Sequence, residues 1–135
     1  MAKFVLTDAS LVINSVDLSD HVASVTLELN AEEIDTTAMG STFMSKTGGL
    51  KSGTLSIDFQ QDFASSEVDA TLHPLFGSTT TFVLKATSGS VSATNPSYSG
   101  SILVNQHIPV ANAVGELATM SVSFPTSGTI TRATS

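Results

Sequence analysis

Ala118, Met120, Val122 and Phe124 alternate with Thr119, Ser121 and Ser123. This period of two constrains the fold more than any other feature of the sequence. A strand turns successive side chains to opposite faces, so such a run has one apolar and one polar face. The pattern recurs along the chain. Val25, Leu27 and Leu29 alternate with Thr26 and Glu28, and Leu55, Ile57 and Phe59 with Ser56, Asp58 and Gln60. Phe82, Leu84 and Ala86 alternate with Val83, Lys85 and Thr87. Ile102 and Val104 belong to a further strand that starts near Tyr98, and residues 11–18 read as a small hairpin turning at Asn14-Ser15. Many half-buried strands in succession predict an antiparallel sheet with one face in the core.

One segment, Ser65 to Gly77, keeps a different period. Val68, Leu72, Leu75 and Phe76 follow helical spacing, and Ser66 with Asp69 reads as a capping pair. Glu67 and Asp69 suit the positive end of a helix dipole. Pro74 ends the regular helix near His73, and Gly77 terminates the segment. The expectation is one short amphipathic helix against the sheet.

Two stretches read as loops. Thr36 to Ser52 is long for a connection in a compact domain, and loops of that length are commonly functional. It holds Met39, Gly40, Phe43, Met44, Gly48, Gly49 and Leu50, and its apolar residues have no period. A solvated loop has no use for Phe43 and two methionines, so these seven residues are the candidate subunit-contact loop. The second stretch, Thr87 to Ser97, is rich in Ser and Gly and ends at Asn95-Pro96. No repeat or boundary divides residues 1–135, so the reading is a single domain.

Composition narrows the function. Five Lys and Arg stand against 12 Asp and Glu, for a net charge of -7. The five basic residues are scattered, whereas tight duplex binding needs them clustered. An acidic surface instead suits a duct that DNA crosses without sticking. Ser and Thr, 21 and 18 residues, supply most of the polar surface. Such a surface loses water cheaply in protein–protein contact, because few charges are desolvated. There is no Cys, so disulfides and thiolate metal sites are excluded. Residues 1–8 carry a three-residue apolar run before a charge, too short for a signal peptide or a membrane span.

The search for chemistry finds no catalytic, cofactor or metal residues, and the chain reads as a non-enzyme. His21, His73 and His107 form no ligand pair in sequence, and no G-x-S-x-G elbow accompanies the serines. Glu32, Glu33 and Asp35 are the densest acidic cluster, without the glycine and spacing of a calcium loop. They read as a strand end or a subunit contact. Most Phe fall on core-facing strand positions, which disfavours a base- or sugar-stacking platform.

Six stretches, taken in order, resemble the tail tube (major tail) proteins of long-tailed, non-contractile bacteriophages. They are residues 12–22, Thr36 through Lys51, Ile57 to Phe63, Val68 to Leu75, Asn95 to Gly100 and Val114 to Ala118. Ser15 departs from the pattern, where a Gly is expected after Asn14. The resemblance implies a β-sandwich or partly closed barrel with one short flanking helix and a long interstrand loop. It implies hexameric rings stacked into the hollow tail of a virion, assembled in the host cytoplasm. It further implies a tape-measure protein in the lumen, tail terminator and tail-tip partners, DNA in transit only, and no membrane contact. On this reading Glu28 and Asp58 are candidate lumen-facing acids. Three other readings compete: a head decoration or tail terminator protein, the tube protein of a contractile injection system, and a carbohydrate-binding β-sandwich.

Overall fold

The computed structural model describes Lys3 and residues 5–135. Met1, Ala2 and Phe4, part of the N-terminal run read above, lie outside them. The alternating runs become seven strands: Ser10–Ile13 (β1), Val16–Asp17 (β2), Val22–Asp35 (β3), Lys46–Gln60 (β4), Thr79–Lys85 (β5), Ser97–Leu103 (β6) and Thr119–Ala133 (β7). All pairings are antiparallel, in the order β2-β1-β5-β6-β7-β4-β3, and the sheet does not close into a barrel. The fold is mostly β with one short α-helix, as expected.

One strand joins two layers. Residues 119–125 of β7 pair with β4, and residues 126–133 pair with β6. The apolar faces of both layers meet in one core. Leu11 and Ile13 come from β1, Leu55, Ile57 and Phe59 from β4, and Phe82 from β5. Ile102 comes from β6, and Met120, Val122 and Phe124 from β7. These are the positions that the period of two selects. Three of the six described Phe depart from that rule, since Phe43, Phe63 and Phe76 are exposed.

The helix is shorter than its sequence signal and capped differently. It spans Val68–Leu72 (α1), with Glu67 as an extended N-cap that makes no side-chain cap bond. Ser66 has a φ of 64°, so the expected Ser66–Asp69 pair does not form. The Asp69 carboxylate instead meets His107 Nε2 at 3.0 Å. A 3-10 turn, His73–Leu75, takes in Pro74 where regular bonding stops. Val68 and Leu72 enter the core, but Phe76 points outward.

The first hairpin matches the reading. Ile13 pairs with Val16, and Asn14 and Ser15 have φ of 53° and 65°. Two positive values make this a type I′ turn, whose second position favours Gly. The left-handed region costs an L-residue roughly 1–2 kcal/mol. Glycine gives back about 0.4–1 kcal/mol of this through a freer unfolded chain. Ser15→Gly is therefore expected to stabilise the protein by about 0.5–1 kcal/mol, the difference of those terms. A thermal melt followed by circular dichroism should rise by about 2–4 °C.

The connection after β3 departs most from expectation. The loop runs from residue 36 to 45 rather than 36 to 52, because Lys46 to Ser52 belong to β4. Gly48 pairs with Glu33, Lys51 with Ala31 and Ser52 with Asn30. Glycine and lysine are poor strand formers, so local sequence hides a strand held by its neighbour's backbone. The second loop holds to its reading and is built around Asn95. That side chain is buried, donating to the Gly89 and Ser90 carbonyls at 3.1 and 3.2 Å and accepting from the Thr87 amide at 3.3 Å.

Candidate assembly surfaces

β3 and β4 are 14 and 15 residues long, and the core uses only about half of each. From Leu29, paired with Gly53, to Asp35, paired with Lys46, they form a two-stranded arm. No side chain between residues 31 and 51 is buried. Seven residues of strand carry the arm roughly 20 Å beyond the core. Gly53 sits at the root, buried where a Cβ would lie 3.0 Å from the Glu28 carbonyl oxygen. The root thus packs too tightly for a side chain. A bulge between Ala31 and Glu33 adds twist further out.

The arm displays apolar groups instead of burying them. Met39 is fully exposed, Phe43 is 87% exposed and Leu50 83%. Met44, Leu29 and Ile34 are also open. Met39, Gly40, Phe43 and Met44 sit in the tip loop, where Gly40 has a φ of 88°. Gly48, Gly49 and Leu50 lie on the β4 side of the arm. The structure therefore brings all seven candidate contact residues onto one projection. A lone two-stranded ribbon is marginal in water, and large exposed apolar patches on proteins are commonly interaction sites.

Glu28 and Asp58 share a different surface. Register sets Ser24 opposite Asp58, Thr26 opposite Ser56 and Glu28 opposite Thr54, with Ser121 and Ser123 beyond Asp58 and Ser56. This outer face of β3, β4 and β7 carries only hydroxyls and carboxylates at these positions. Ser24 donates to Asp58 at 3.1 Å, the Ser56 and Ser123 hydroxyls meet at 3.0 Å, and Asn30 donates to Glu28 at 2.9 Å. Glu28 and Asp58 are about 13 Å apart, four strand residues. Sequence alternation alone was enough to find this face.

The acidic run at residues 32–35 is spread over the arm. Glu33 pairs with Lys46, and Asp35 accepts from the Thr37 amide at 2.9 Å. Hydrogen bonds from Thr37, side chain and backbone, hold the Asp35 carboxyl below its usual range. These groups converge on no common point.

Sequence reasoning missed a cluster at the other end of the strands. His21 ends the 3-10 turn Ser19–His21. The fold sets it against Asp62 and Glu67, more than 40 residues away in sequence. The hydrogen bond with Asp62 raises the His21 pKa, opposed by burial and assisted by Asp20 and Glu67. Asp62 is lowered, first by the Ala64 amide and then by His21. No spacing rule could have found this group, because β3 and β4 carry its parts together. Exposed Val110, Val114, Leu117 and Phe63 lie on the segments flanking this end. Among the described residues no helix is long and apolar enough to cross a membrane.

Comparison with solved structures places this architecture. The virion of a native gene transfer agent particle contains a chain that superposes with a TM-score of 0.74 at 16% identity, covering 93% of this chain and 95% of that one. The fold is shared. A second chain, from the tail of an empty gene transfer agent particle refined with helical C6 symmetry, gives a TM-score of 0.67 at 17% identity, covering 82% and 81%. No protein-family model and no curated protein matches the sequence.

Proposed function

We propose that this chain is the tail tube subunit of a phage-like particle, a structural and non-catalytic protein. The observation that carries the reading is the arm. It holds out Met39, Phe43, Met44 and Leu50, which nothing among the described residues covers. A second copy supplies the cover. Contacts between unlike surfaces of identical subunits close into rings or continue as helices. The fold shared with gene transfer agent virion and tail chains supports a tail location, and the C6 symmetry of the latter supports six subunits per ring.

The outer edge of β3 has no partner strand among the described residues. Pairing it with a neighbouring subunit would remove a long exposed edge. In the tube, the hydroxyl and carboxylate face bearing Glu28 and Asp58 lines the lumen. Its negative charge keeps passing DNA from adhering. A tape-measure protein fills the same lumen during assembly in the host cytoplasm, and terminator and tip proteins close the ends.

Negative-stain electron microscopy of the purified protein at high concentration, with light scattering, tests the reading. Hollow tubes of uniform width are expected. A monomer at every concentration would overturn it in favour of a head decoration protein or a carbohydrate-binding module.

A further inference from the structure

Two exposed apolar surfaces lie at opposite ends of the same strands. At one end the arm tip, residues 36–45, carries Met39, Phe43 and Met44 and no charged side chain. At the other, β4 ends at Gln60 opposite Thr119, the first residue of β7. The segments that meet there hold Phe63, Val110, Val114 and Leu117, each at least 60% exposed. β4 is 15 residues long, so strand spacing puts roughly 45 Å between the two ends. The second surface is held in shape by its own hydrogen bonds. The Thr119 amide donates to Asn112 Oδ1 at 2.7 Å, and Gln61 Nε2 donates to the Pro109 carbonyl at 3.1 Å. The Ala113 amide donates to Glu116 Oε1 at 2.9 Å, and the Glu116 amide returns to the Ala113 carbonyl at 3.2 Å. Ile108 packs against the core. The loop is thus pinned to the ends of β4 and β7 while its apolar side chains stay exposed.

We propose that the arm tip of one subunit docks on the Phe63, Val110, Val114 and Leu117 surface of a second copy in the next ring. The inference deepens the tube reading and rests on it. Charge selects this occupant first. The chain has a net charge of -7, so most approaches of two copies bring like charges together. Residues 36–45 and 108–115 contain no charged side chain, and they meet without repulsion and without stripping water from an ion. The two acids beside the receiving surface are engaged within the chain, Asp62 by His21 and Glu116 by the Ala113 amide. Direction is the second argument. The surfaces sit at opposite ends of one hairpin, so their contact joins unlike faces. Such a contact repeats from ring to ring instead of closing on itself. Side-chain kind is the third. The unbranched Met39 and Met44 adapt to the uneven relief that Val, Leu and Phe present.

The absence of Cys makes the docking testable by cross-linking. Met44→Cys and Val114→Cys are placed in one full-length chain, tubes are formed, and a short bismaleimide is added. A denaturing gel should show a ladder of dimers, trimers and longer chains, because each subunit carries one link upward and one downward. Either single variant should stay monomeric on the gel. Tubes of the double variant that give no ladder would overturn this docking and leave the tube reading intact, with the patch assigned to another occupant. Dimers from Met44→Cys alone would overturn it as well, since arm tips would then meet each other. A charge swap gives a second measurement. Met44→Lys and Val114→Asp should each raise the concentration threshold for tubes about tenfold, with circular-dichroism melts unchanged. Both together should recover most of that loss, and losses that simply add would overturn the docking. A parent chain that forms no tubes at any concentration would remove the tube reading and the docking together.

Discussion

Replacing residues 31–51 with a two-residue Asn-Gly turn is expected to abolish tube formation while the subunit stays folded. Asn30 and Ser52 are paired, so a tight turn can close the hairpin there. The excised residues include no buried side chain, and Leu55, Ile57 and Phe59 remain in place. Shortening a loop changes closure entropy slowly, so urea stability should shift by about 1 kcal/mol or less. Electron microscopy should show dispersed particles where the parent makes tubes, and light scattering should report a monomer. Tubes from the trimmed chain would show that the arm is not the contact. The cut must be symmetric. Removing Gly40 to Gly49 alone would take Lys46 and Gly48 from their partners Asp35 and Glu33 and leave an unpaired strand.

A pair of phenylalanine substitutions should separate folding from assembly. Phe59 is fully buried and sits on β4 between Val22 and Met120. Phe59→Ala should cost about 3–5 kcal/mol through lost transfer energy and the cavity left behind. Domains of this kind hold only about 5–15 kcal/mol in total, so the midpoint of chemical denaturation should fall sharply. Phe43→Ser removes the same ring from an exposed position, and stability should stay within about 0.5 kcal/mol. Its effect should appear only in assembly, as a higher concentration threshold for tubes. Equal loss of stability from both substitutions would show that the arm tip packs on its own subunit.

Alternation exposed the parts of the fold that bury one face. Leu55, Ile57, Phe59, Met120, Val122 and Phe124 declared their strands because water drives that pattern. The outer half of β4 has no buried face, so Gly48, Gly49 and Lys51 looked like loop. Beyond Phe124, β7 packs Ile130 against the core, but Thr126 to Ala133, which pair with β6, show little apolar alternation. The candidate contact residues stood out because Met and Phe in a stretch without period are anomalous whatever the backbone does, and the structure leaves Met39, Phe43 and Met44 exposed. The His21 group was not legible, since its members meet only after β3 and β4 have paired.

The position of β7 sets the order of events in folding. Among the described residues it is the last strand in sequence, yet it lies between β6 and β4 and is the strand that bonds the two layers together. While the chain is being made, β3 with β4, and β1 with β5 and β6, can form only as separate pieces. Each piece has part of the core, and the hydrogen-bonded link between them, with Met120, Val122 and Phe124, waits for residues 119–133. The arm already exists by then, but the body that would hold it in a fixed direction does not. The nascent chain is thereby denied a rigid binding partner's geometry until synthesis has passed β7, a delay written into strand order rather than into any inhibitor.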